Sequence, residues 1–98
     1  MKKKIIEFYG GGCPDCTLIS PAVDRLEKEE AIEVEKLEVW SNEQNKKKME
    51  GLKELYLTEC KGDFAVPSFY DPESHRLICE PLSYAILKAW VFAEPKRS

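Results

Sequence analysis

Two thiols separated by two residues, Cys13-Pro14-Asp15-Cys16, carry the most evident chemistry in this sequence. They stand where an extended segment gives way to a helical one. Ile5, Ile6, Phe8 and Tyr9 form a short apolar run of strand formers, and Gly10-Gly11-Gly12 breaks it just before the first thiol. Beyond the motif, Ile19, Ala22, Val23 and Leu26 recur at helical spacing, and Pro14 suits a first helical turn. Cys13 is therefore expected near a helix N-terminus, where unpaired backbone N–H groups favour negative charge and make the sulfur nucleophilic. Cys16 returns within the same turn, in reach of a disulfide. Such a pair can exchange thiols for disulfides: Cys13 attacks a target disulfide and Cys16 resolves the mixed disulfide. That exchange needs no organic cofactor.

The 98 residues suit a single domain, 1–98, with one hydrophobic core. A net charge of −3 gives no support for nucleic-acid binding. Lys2-Lys3-Lys4 and Lys46-Lys47-Lys48 read as solvated faces, being flanked by acidic residues or helix. The apolar stretch after Lys4 stops at Tyr9 and contains Glu7, too short for an export signal, and no membrane-spanning stretch follows. The expectation is a cytoplasmic monomer with no membrane or nucleic-acid partner. In a reducing compartment a Cys-x-x-Cys pair is more often catalytic or metal-binding than a permanent staple.

The elements that must position the thiols read as strand, helix, strand, helix, strand, strand, helix, an α/β pattern with three helices. Ile32 to Val39 forms the second strand, and Ser41 or Asn42 caps a helix to about Leu57 that is weakened at Gly51. Val66 to Tyr70 and Arg76 to Glu80 make a hairpin around Asp71-Pro72-Glu73-Ser74. Ser83 caps the last helix, where Leu82 and Leu87 fit a hydrophobic staple and Ile86, Leu87, Trp90 and Val91 face the core. Pro95 to Ser98 looks frayed. The first strand, apolar on both faces, is expected at the centre of a four-stranded mixed sheet in the order 2-1-3-4.

With this element order the chain resembles the thioredoxin and glutaredoxin superfamily over nearly its whole length. The redox motif opens the first helix, Pro21 lies five residues after Cys16 where thioredoxins carry a helix-kinking proline, and Val66-Pro67 precedes a strand as in the family's cis-proline loop. The resemblance implies a βαβαββα thioredoxin-like fold and a thiol-disulfide oxidoreductase with a redox-active Cys13–Cys16 disulfide. Its substrates would be disulfides in proteins or small thiol compounds, with electrons from a reductase or a low-molecular-weight thiol. Val66, Pro67, Pro14 and Asp15 would contact the substrate chain.

Glu7 interrupts the first strand at the position where thioredoxins place a buried acid beneath the second cysteine. A carboxyl group there is desolvated, its pKa is raised, and it can accept the proton of Cys16. Lys36 shares strand parity with Ile32 and Val34 and so should point inward, matching a lysine that thioredoxins place near that acid. The competing reading is an exposed cross-strand Glu7–Lys36 pair worth little energy. Gly12 replaces the thioredoxin tryptophan, which removes an aromatic wall, and Asp15 opposes a neighbouring thiolate and so favours a reducing protein. Gly10 and Glu80-Pro81-Leu82-Ser83 stand where glutaredoxins carry glutathione-binding residues, so protein disulfides are the better-matched substrates. Tyr9, Trp40 and Phe69 fit either the core or apolar contacts beside the groove.

Two further cysteines remain. Pairing Tyr70 with His75 or Arg76 would bring Cys79 opposite Val66 or Pro67, and the loop from Cys60 must return to the same end of the sheet. Three states are open to Cys60 and Cys79: inert core residues, a second or regulatory disulfide, or part of a four-cysteine zinc or iron-sulfur site. The spacing matches no compact metal pattern, so no metal ligand is assigned. The rival readings of the whole chain are a cysteine-based metal module and a non-enzymatic thioredoxin-like adaptor.

Overall fold

β1 (Lys3–Tyr9) is the strand around which the protein is built. In the computed structural model, which describes residues 3–93, it pairs in parallel with β2 (Ile32–Glu38) and antiparallel with β3 (Ser68–Asp71). β3 pairs antiparallel with β4 (Arg76–Cys79), giving one mixed sheet in the order β2-β1-β3-β4, as expected. Lys2 and the segment 95–98 lie outside the described residues.

Side chains alternate across this sheet, so each strand feeds two cores. On one face, α1 (Pro14–Glu30) and α4 (Tyr84–Phe92) enclose Ile5, Val23, Leu26, Phe69, Leu87 and Val91. On the other, α2 (Glu43–Glu50) and α3 (Lys53–Glu59) cover Phe8, Leu37, Met49, Tyr56 and Leu77. The Tyr56 hydroxyl meets Ser68 Oγ at 2.6 Å, which ties α3 to β3 and satisfies both buried groups.

Four helices are present among the described residues where three were expected. The segment from Asn42 to Leu57 is broken at Gly51-Leu52. Leu52 leaves helical geometry at φ −104° and ψ 20°, and its N–H donates to Met49 O at 2.9 Å, a bond one residue tighter than the α-helical ladder. The break redirects the chain so that Met49 on α2 and Tyr56 on α3 both reach the same core.

Three smaller expectations also shift. The hairpin pairs Tyr70 with Leu77, so Cys79 faces Ser68 instead of Val66 or Pro67. Leu82 is 81% exposed and makes no staple with the buried Leu87, and Ile86 is exposed as well. Helix α4 instead is fixed by Ser83, whose Oγ accepts the Ile86 N–H. Among the described residues no helix is long and apolar enough to cross a membrane.

Candidate active site

Parallel pairing of β1 with β2 places the C-terminal ends of both strands at one edge of the sheet. The chain leaves β1 there through Gly10-Gly11-Gly12, and Gly12 turns at φ +81°, a conformation that an L side chain resists. Cys13 follows as the N-cap of α1, its own N–H donating to Gly10 O at 3.1 Å. Pro14 opens the helix, where its missing N–H has no partner to lose.

Both thiols are buried and unbonded to each other. The backbone N–H of Cys16 donates to Cys13 Sγ at 3.2 Å, so the helix end offers a donor to the first sulfur, as its N-cap position implies. The Cys13 thiol also faces the carbonyl oxygen of Val66 at 4.0 Å, across a cis Val66–Pro67 peptide. Thus the motif and the Val66-Pro67 loop, 53 residues apart in sequence, meet at Cys13. Asp15 and Pro14 are exposed beside them.

Glu7 is 4% exposed and projects to the α1 side of the sheet, where it lines a cleft of about 320 Å3 together with Cys16, Tyr9, Thr17 and Lys36. Burial raises its pKa to about 7, against a smaller opposing pull from Lys36. Cys16 is pushed up to about 12, first by burial and then by its hydrogen bond with Cys13. The two groups therefore share a cavity and both bind protons more tightly than in water.

Lys36 departs from expectation. It lies opposite Glu7 in register and has the expected parity, but its side chain is 42% exposed and its Nζ stands 3.7 Å from Asp24. β2 is the edge strand, and a long lysine at its end reaches past the rim into solvent. The result is a buried acid with a cation at the mouth of its cleft, neither the buried ion pair nor the exposed one.

One residue at this edge, Glu38, escaped sequence reasoning. Glu38, the last residue of β2, accepts the Gly11 N–H at 2.9 Å with one carboxylate oxygen, and the Ser41 N–H and hydroxyl at 2.9 and 2.7 Å with the other. Those donors, with Trp40 N–H, hold its pKa down at about 2. Trp40 lies over Gly10, so an aromatic ring does flank the motif loop although Gly12 carries none. An acid at the end of a strand parallel to β1 was the available signal. Tyr9 is half-buried at the cleft, Trp40 is 59% exposed, and Phe69 belongs wholly to the core.

Cys60 and Cys79 form a disulfide with Cα atoms 5.9 Å apart, an ordinary separation for a bridge. Of the three states open to them the structure has the second, and neither sulfur is an inert core thiol. Both belong, with Val66, to the core cluster on the α2/α3 side of the sheet. Among the described residues no three His, Cys, Asp or Glu side chains gather where they could hold a metal ion. No family model matches the chain, and no curated protein matches it.

Proposed function

We propose that this protein is a cytoplasmic thiol-disulfide oxidoreductase of thioredoxin-like fold that reduces disulfides in proteins or small thiol compounds. The observation that carries the reading is the meeting at Cys13 of a helix-end N–H donor and the Val66-Pro67 loop, with Cys16 one turn away. The Cys13 thiolate attacks one sulfur of a target disulfide, forming a Cys13–substrate disulfide and releasing the other target sulfur as a thiolate. Cys16 then attacks Cys13 Sγ, the substrate leaves with its electron pair and takes up a proton, and a Cys13–Cys16 disulfide remains. Two electrons have passed to the target. A reductase or a low-molecular-weight thiol restores the pair.

Glu7 accepts the Cys16 proton in the second step. At neutral pH about half of its population is carboxylate, since its pKa is about 7. Once Cys13 is bonded to substrate, the hydrogen bond and charge by which it holds the Cys16 proton are gone, so the transfer becomes easier. Lys36 steadies the carboxylate from the cleft mouth. Val66 and Pro67, with Pro14 and Asp15, position the incoming chain.

Insulin reduction by a dithiol-recycled preparation tests this directly. Wild type should accelerate the reaction and Cys13→Ser should not. Equal rates in the two would remove the catalytic reading.

A further inference from the structure

At Pro67, next to the Val66 carbonyl that Cys13 faces, lies a hollow that shares no lining residue with the Glu7 cleft. Buried Pro67 and exposed Leu18, Leu82, Asp15 and Glu80 line this hollow of about 40 Å3. Leu18 and Leu82 are 78% and 81% exposed. Neither serves the core: the staple that would have used Leu82 does not form. Glu80 is held in place by its backbone, at φ 49°, with its N–H donating to Pro67 O at 2.7 Å. No basic side chain lines the hollow among the described residues.

Resting on the oxidoreductase reading above, we infer that this surface selects extended polypeptide disulfides whose cysteine is flanked by basic and large apolar residues. The hollow is too small for a whole ligand, but two exposed leucines in its lining give a chain crossing it apolar surface to cover. The two carboxylates attract lysine or arginine on that chain and repel acidic neighbours. Anionic low-molecular-weight disulfides cover neither leucine and meet both charges. Asp15 and Glu80 are therefore specificity determinants for the reaction of Cys13.

The probes are three end-blocked peptides, Leu-Lys-Cys-Lys-Leu, Leu-Gln-Cys-Gln-Leu and Leu-Glu-Cys-Glu-Leu, each joined by a disulfide to thionitrobenzoate. Rates with the reduced protein are divided by rates with dithiothreitol, which removes differences in intrinsic thiol reactivity. The lysine peptide should react about tenfold faster than the glutamate peptide at low salt, with the ratio falling toward one in 1 M NaCl. In Asp15→Lys/Glu80→Lys, and to a lesser degree in Glu80→Lys alone, the preference should shift toward the glutamate peptide. A wild-type ratio near one at low salt, or a ratio that the variants leave unchanged, overturns the inference while leaving the oxidoreductase reading intact. Failure of wild type to react with the glutamine peptide overturns both.

Discussion

The ring-fusion atoms of the Trp40 indole occupy the space in which a side chain at Gly10 would stand. A residue from the loop after β2 thus closes over the loop that precedes Cys13. Gly10→Ala would drive a methyl group into the indole, and overpacking of this kind costs about 1–3 kcal/mol. We expect Gly10→Ala to lower the urea midpoint and alter Trp fluorescence. Trp40→Ala in the same chain should recover much of the loss, because the clash has lost one partner.

Glu7 makes stability fall as pH rises. Its carboxyl keeps a proton up to about pH 7 in the folded state but, with an unfolded value of 4.5, releases it earlier when unfolded. Between those values the folded state binds more protons, so each unit of pH costs up to about 1.4 kcal/mol, or about 3 kcal/mol in all. Glu7→Gln should match wild type near pH 4 and exceed it by about 1–3 kcal/mol at pH 8, measured by denaturant unfolding. The same variant should slow resolution of a Cys13 mixed disulfide and flatten its pH profile near 7. An unchanged profile would show that Glu7 does not take the proton.

Asp71 acts in the opposite sense. It is fully buried between Lys3 Nζ at 3.0 Å and Arg76 Nη2 at 3.3 Å. Burial pushes its pKa up, but hydrogen bonds from Lys3, Ser74 and the Glu73 backbone outweigh this and leave it lowered. Its stabilisation is present above its unfolded value of 3.8 and is lost as pH falls through the lower folded value. Asp71→Asn should cost about 3 kcal/mol at pH 7, as removing one partner of a buried ion pair does. Unfolding curves at pH 7 and pH 3 should show the deficit narrowing in acid.

The Cys60–Cys79 bridge spans a sequence separation of 19. Constraining a loop of that length in the unfolded chain is worth about 3 kcal/mol. Cys60→Ser/Cys79→Ser should lose roughly that amount. Val66 borders the same core cluster as the bridge and turns its carbonyl toward Cys13, so loosening the bridge should also quicken alkylation of Cys13 by iodoacetamide. Peptide mapping of the unreduced wild type should recover Cys60 linked to Cys79.

The elements and the seat of the thiols were legible because they follow from local signals, whereas the strand order rested on the sequence of elements and on a first strand apolar on both faces. The apolar run before Gly10, the helical spacing after Cys16 and the turn residues near Pro72 each fix one element. Burial of Glu7 followed from its place in a strand apolar on both faces. The break at Gly51-Leu52 was not legible, since the flanking residues suit one continuous helix and tertiary burial of Met49 and Tyr56 decides the bend. Lys36 had the right parity, but parity does not say how far a lysine on an edge strand reaches beyond the cover of α1. Glu38 and Trp40 touch the motif loop across 27 or more residues, and contacts of that range leave no local periodicity.

Glu38 has one more consequence. Because its carboxylate stays charged down to about pH 2, its grip on Gly11, Trp40 and Ser41 persists far below neutrality, while Glu7 changes state around pH 7. The scaffold that presents the first sulfur is thus insulated from acidification, and the proton inventory behind the second sulfur is not. Titrating the protein through neutrality changes the proton on Glu7 while the Glu38 carboxylate that grips the loop before Cys13 keeps its charge.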